Sequence, residues 1–217
     1  MTEPSTSVSV SPSGESFPLP SRADYDTEFQ RVQNLADAAR AEGKEIVVVM
    51  GVGFVGAVMA AIVADTVDKA TGRSNKFVIG CQRPSPRSYW KIPLLNRGDA
   101  PVKAEDPEVA PMIERCVIQK KTLTATFNSD VLSLADCVVV DVQCDYIKKD
   151  LGNLQTGSTD MAALEATMRT IGDKIQPECL VLIETTVAPG TTEFVAYPIL
   201  MKAFKKRGIN SDPLLAH

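Results

Sequence analysis

Gly51, Gly53 and Gly56 in "VVVMGVGFVGAVMAA" stand in a GxGxxG arrangement between an apolar β-branched run and an Ala-rich one. Glycine lacks a Cβ, so the chain can reverse tightly there and a ligand can come close to the backbone. Where such a turn opens a helix, free backbone N–H groups and the positive end of the helix dipole face an anion. That is the chemistry of a dinucleotide pyrophosphate, and it makes Gly51, Val52, Gly53, Phe54, Val55 and Gly56 the first candidate binding residues.

Two further stretches could complete such a site. The fingerprint expects an acidic residue at the end of the next strand, where it holds the adenosine ribose hydroxyls. Here "FVIGCQRPSPR" has Gln82 after Cys81, followed by Arg83 and Arg87. An amide can hydrogen-bond a ribose, and an arginine can stack on adenine or meet a 2′-phosphate, so the cofactor reads as NAD with NADP left open. In "IETTVAPGTTE" a strand ends at Glu184, Thr185 and Thr186, and Pro189-Gly190 turns the chain into a helix opening at Thr191 and Thr192. Thr186 can orient a nicotinamide, a substrate oxygen or a water, whereas Thr191 and Thr192 read as helix caps.

These residues need a frame to hold them. From Ile46 to Ala64 the chain carries no charge, long enough for a membrane span, yet its glycines divide it into a strand and a helix. The pattern predicts strands over 45–50, 76–81, 122–127, 137–142 and 179–184, and "DPLLAH" as the start of another. Helices are expected over 54–70, 107–118, 160–175 and 191–207, with a helical turn at 129–134 and a polar loop at 143–158. Alternation of this kind predicts an α/β fold, a Rossmann-type doubly wound parallel sheet with helices on both faces. Ligands then bind beyond the carboxyl ends of the strands, in the loops 51–56, 81–87, 142–146 and 184–191.

Ahead of this domain, 44–217, the Ser- and Pro-rich residues 1–26 read as a disordered tail with no signal-peptide core. Residues 27–43 read as one extra helix, opened by a Thr27-x-x-Gln30 capping box and closed at Gly43. Its apolar face, Phe29, Val32, Leu35, Ala36 and Ala39, is expected to cover the domain.

Composition excludes several function classes. A hydrophobic content of 44% with 23% charged residues is that of a globular protein, and a net charge of −4 gives no footprint for nucleic acid or a membrane surface. His217 is the single histidine, which removes histidine triads and histidine metal sites from this chain, and no metal is expected. The five cysteines are odd in number and form no CxxC, as for reduced thiols in a cytoplasmic protein.

Taken in order, "VVVMGVGFVG", "LLNRGDAPV", "ADCVVVDVQCD" and "ETTVAPGTTE" resemble the signature blocks of the UDP-glucose/GDP-mannose dehydrogenase family over about 44–217. The resemblance implies that the first block binds the NAD pyrophosphate and that Asn96-x-Gly98-x-x-Pro101 matches the family segment INxGxxPI. It further implies that Val142, Gln143 and Cys144 line the cofactor cleft, and that Thr186, matching the Thr of STVPPGTT, lies beside the nicotinamide and the reacting sugar carbon as the catalytic candidate. Three positions depart from the family pattern: Cys144 stands for its Thr, Asp145 for its Pro and Gln82 for its acidic ribose ligand.

Members of the family resemble one another in having a central helix that builds a homodimer and a second domain that closes over the sugar nucleotide. There a Cys forms the thiohemiacetal and thioester as the C6 alcohol becomes a carboxylate in two hydride transfers. None of the five cysteines here matches that nucleophile, so the resemblance implies the NAD-binding part of a nucleotide-sugar 6-dehydrogenase, truncated before the later domain and inactive alone. Its substrate is a UDP- or GDP-hexose, of the kind used in polysaccharide biosynthesis. The alternative is a stand-alone NAD(H)-binding Rossmann module with a sensing or interaction role.

Overall fold

The computed structural model describes residues 7–148, 150, 152–153 and 156–217. In chain order the elements are β1 (Val8–Val10), β2 (Ser16–Pro18), α1 (Asp24–Ala41), β3 (Glu45–Met50), α2 (Phe54–Asp65), β4 (Lys76–Cys81) and α3 (Lys91–Asn96). There follow α4 (Val109–Glu114), continued by a wide π turn over Arg115–Gln119, then β5 (Leu123–Thr126), a 3₁₀ turn over Ser129–Leu134 and β6 (Cys137–Val140). The chain ends through β7 (Asp145–Lys148), β8 (Gly157–Asp160), α5 (Ala162–Gly172), β9 (Leu180–Ile183), a π turn over Thr192–Ala196, α6 (Tyr197–Lys206) and β10 (Leu214–Ala216).

Six of the strands pair in parallel in the order β5-β4-β3-β6-β9-β10. The chain builds outward from β3 to one edge, then crosses back and builds to the other, so strand order reverses between β3 and β6. This is the doubly wound Rossmann order that the alternation predicted. The strands are apolar on both faces because both are covered. Ile46 and Val48 point into a core shared with α1, α5 and α6, and Val47 and Val49 into one shared with α2, α3 and α4.

The extra helix has a reason to exist. The crossover from β5 to β6 holds only a 3₁₀ turn, too short to cover the sheet beside it. Val32, Ala36 and Ala39 of α1 lie buried on that bare face against Ile46, Phe77 and Ile79. Leu35, expected on the same stripe, is exposed. The Thr27 capping box does not form either, because α1 starts earlier, where Asp24 Oδ2 accepts bonds from the Ser21 backbone N–H at 2.7 Å and its hydroxyl at 2.8 Å.

Other expectations shift for equally local reasons. Helix α2 stops at Asp65 rather than residue 70, since Asp68 Oδ1 gathers the Ala70 and Thr71 N–H groups into a loop. Asp65 is itself clamped by Arg115 at 2.6 and 2.9 Å and Lys120 at 2.7 Å, which tie α2 to the end of α4 and hold its carboxyl well below the usual range. The predicted strand 137–142 ends at Val140. Part of the predicted polar loop 143–158 is an exposed hairpin, β7 against β8, while 149, 151, 154 and 155 fall outside the described residues.

The tail expected to be disordered is the largest correction, although residues 1–6 of it lie outside the described set. Strands β1 and β2 form an antiparallel hairpin with Ser9 fully buried and Val8 and Val10 each 47% exposed. Such inverted patterning holds because the Ser9 hydroxyl is satisfied on both sides. It donates to the Pro86 carbonyl at 2.9 Å and accepts from the Trp90 N–H at 3.1 Å. Glu15 completes the attachment through paired 2.7 Å bonds to Arg97.

Candidate functional site

Met50 is in register with both Cys81 and Val140, and Val140 with Ile183, so four adjacent strands end level with one another. The residues that leave the sheet there are Gly51, Gln82, Asp141 and Glu184. The candidate residues on the four loops therefore share one rim of the sheet, at the point where strand order reverses.

The three glycines of the first loop differ in what they must accommodate. Gly51 has a φ of +101°, and a Cβ on it would lie 2.3 Å from the Asp141 carbonyl oxygen. On Gly56 a Cβ would lie 1.8 Å from the Gly51 carbonyl oxygen and 2.9 Å from Asp141 Oδ2. Both positions are closed to any larger residue by the fold itself. Gly53 has nothing within 4 Å of a Cβ position, so packing does not require a glycine there. The open space above Gly53, at the start of a helix with no side-chain cap, is what the approach of a pyrophosphate requires.

The neighbours of Gly53 divide the work. Val52 is buried with its side chain against Gly80, and its N–H donates to Gln82 Oε1 at 3.1 Å. It contributes to the shape of the turn rather than a free donor. Phe54 and Val55 are 62% and 51% exposed on the first turn of α2, beside the open face. Gln82 thus braces the glycine turn with its oxygen, and its Nε2 makes one long bond, 3.5 Å, to the Arg83 carbonyl. Arg83 is exposed.

Beyond β6 the sequence reading missed the residue nearest the turn. Asp141 lies under the glycines with one carboxyl oxygen, Oδ2, buried and without a hydrogen-bond partner among the described residues. Burial pushes its carboxyl up, and the charge of Glu184 acts in the same direction. The available signal was an Asp interrupting the apolar run "CVVVDV". Of the three residues expected to line the cleft, Val142 and Cys144 are half-buried against the core beneath α5 and α6. Gln143 is exposed, with its amide donating to Asp145 at 2.8 Å.

At the end of β9, Thr186 is exposed in an irregular segment, and its hydroxyl has no hydrogen-bond partner among the described residues. It is free to meet a ligand. Thr191 and Thr192 do not cap the following helix: the Thr191 hydroxyl reaches the Met161 sulfur at 4.0 Å, and Thr192 Oγ1 is buried without a partner among the described residues. The matched Asn96 turns away from this rim. Its side chain exchanges bonds with Ala125, donating to the carbonyl at 2.9 Å and accepting from the N–H at 2.6 Å, so it covers the open edge of β5 as another strand would.

No cysteine here is activated. All five are free, and burial pushes the thiols of Cys81 and Cys179 up to about 12 and that of Cys116 up to about 11. Cys137 and Cys144 are raised for the same reason. Neutral thiols of this kind do not act as nucleophiles at neutral pH. Among the described residues no group of acidic, histidine or cysteine side chains could hold a metal ion, and no helix is long and apolar enough to cross a membrane.

Residues 45–213, from the first strand of the sheet to the approach to the last, match the NAD-binding domain of the UDP-glucose/GDP-mannose dehydrogenase family. The chain belongs to the UDP-glucose/GDP-mannose dehydrogenase family. Among solved structures it is similar to an NDP-N-acetyl-D-galactosaminuronic acid dehydrogenase from Methanosarcina mazei Go1, at 30% identity and TM-score 0.65 over 83% of this chain and 35% of that one. It is also similar to GDP-mannose dehydrogenase from Pseudomonas aeruginosa, at 25% identity and TM-score 0.56 over 72% of this chain and 32% of that one. A UDP-D-ManNAc dehydrogenase from Pyrococcus horikoshii shares the fold, at 22% identity and TM-score 0.57 over 78% of this chain and 34% of that one.

A search of curated proteins gives no match. The chain spans about a third of the length of these solved relatives. Membership of an NAD-binding domain family implies NAD as the cofactor of this oxidoreductase family member, and the open, uncapped turn at Gly53 fits its pyrophosphate.

Proposed function

We propose that this chain holds NAD for a dehydrogenase that oxidises the C6 alcohol of a UDP- or GDP-hexose to the uronic acid. One observation carries the reading. The glycine turn at the switch point is closed by packing at Gly51 and Gly56 and open to ligand at Gly53. The backbone of 53–56 would hold the pyrophosphate, Gln82 and Arg83 the adenosine ribose, and Thr186 the nicotinamide end, where its free hydroxyl also meets the sugar carbon. Val142, Gln143 and Cys144 border the cofactor between these ends. When bound, NAD supplies the hydride acceptor.

The sugar nucleotide and the covalent chemistry fall to the part of such an enzyme that these 217 residues do not match, since solved relatives are more than twice as long. Preorganisation of both reactants needs both walls of the cleft. Five unpaired thiols suit a reducing cytoplasm. Calorimetric titration of the purified chain should show one NAD bound per chain, and mixing it with NAD and UDP-glucose or GDP-mannose should produce no NADH. Turnover by this chain alone would overturn the division of labour, and absence of NAD binding would overturn the site.

A further inference from the structure

We propose that the adenosine end of this site accepts a 2′-phosphate, so that the chain binds NADP about as well as NAD. The inference rests on the reading of the glycine turn as the pyrophosphate site, which places the adenosine ribose at the end of β4.

The position that decides between the two cofactors is Gln82. A carboxylate there would accept hydrogen bonds from the ribose hydroxyls and repel a phosphate. The amide carries no charge to repel a phosphate, and its orientation is fixed: the Val52 N–H at 3.1 Å can only donate, so it must face the amide oxygen. What Gln82 has left for a ligand is its NH2 group, held by one long contact to the Arg83 carbonyl. A donor without charge suits a phosphate oxygen and has no quarrel with a plain ribose.

The charges around it agree. Residues 82–98 contain Arg83, Arg87, Lys91 and Arg97 and no Asp or Glu. Arg97 is taken by Glu15 and Asp99, and Lys91 lies over the Trp90 ring at 5.8 Å. Arg83 and Arg87 are exposed, and among the described residues neither is in an ion pair. They are the two cations of this loop that remain for a phosphate, and a guanidinium binds one through paired N–H groups.

The loop carrying them is already shaped. The Ser88 hydroxyl donates to the Arg83 carbonyl at 3.1 Å, the Trp90 indole to the Arg87 carbonyl at 2.9 Å, and buried Ser9 pins Pro86 and Trp90 from the N-terminal hairpin. Binding a phosphate here does not require ordering the backbone first, which is where such sites usually lose affinity.

Calorimetry on the 217-residue chain with NAD, NADP and 2′,5′-ADP tests the proposal without any turnover. Dissociation constants for NAD and NADP should agree within about 5-fold, and 2′,5′-ADP should bind more tightly than 5′-ADP by about 10-fold, one charge-assisted pair. In Gln82→Glu the ratio of the NADP to the NAD dissociation constant should rise by about 50-fold or more. The single variant Arg87→Ala should lose about 10-fold or more for NADP and less than about 3-fold for NAD. A wild-type preference for NAD above about 100-fold would overturn the 2′-phosphate site while leaving the pyrophosphate site intact. Binding of neither dinucleotide would overturn both.

Discussion

The loop that follows β3 and the loop that follows β4 leave the sheet side by side, yet they are shaped by opposite means. Loop 51–56 is determined by its own residues: a left-handed Gly51, a Gly56 that tolerates no Cβ, and a helix that starts at once. Loop 82–90 contains no residue of that kind and owes its form to Ser9, more than seventy positions earlier. One can be read from six letters of sequence. The other exists only once the hairpin has docked.

Breaking the first loop should have the largest effect. Gly56→Ala brings a methyl group to 1.8 Å from the Gly51 carbonyl, so the β3–α2 crossing must shift. We expect a loss of about 2–4 kcal/mol in urea unfolding, together with loss of NAD binding. Breaking the second loop at Ser9→Ala removes a hydroxyl that serves two backbone groups, the Pro86 carbonyl and the buried Trp90 N–H. The expected cost is about 1–3 kcal/mol. NADP should weaken more than NAD, because the glycine turn is untouched. An equal loss for both cofactors would show that the two loops are not independent.

Asp141 lies beneath the first loop and gives a test of opposite sign. Burial and Glu184 raise its carboxyl, so the fold favours the protonated form. Its contribution to stability is full below the unfolded value, about 4, and is lost as pH rises through the folded one. Asp141→Asn should therefore stabilise the protein at pH 7, by about 1 kcal/mol, and the gain should shrink towards pH 4 in thermal melts. Destabilisation at pH 7 would mean that the charged carboxylate has a partner in solution.

How much was legible follows the same division. Strands 45–50 and 76–81 and the parallel order of the sheet follow from β-branched runs and alternation, which are local. Helix α2 ended five residues early because Asp68 competes for backbone N–H groups. The N-terminal hairpin was hidden because its buried residue is a serine and its exposed ones are valines, the reverse of the usual pattern. Gln82 was marked as a departure, but its bond to Val52 spans thirty residues and appears only in the fold. Asp141 reads as one more strand residue until the glycines are seen to sit on it.

Gly53→Ala separates fold from function most directly, because nothing lies within 4 Å of the added methyl group. Its melting curve should match the wild type to within about 1 kcal/mol. In parallel calorimetric titrations NAD should bind the wild-type chain one to one and bind Gly53→Ala at least about 10-fold more weakly, since the methyl group occupies the approach of the pyrophosphate. Equal binding by the two proteins would contradict the assignment of this turn to the cofactor.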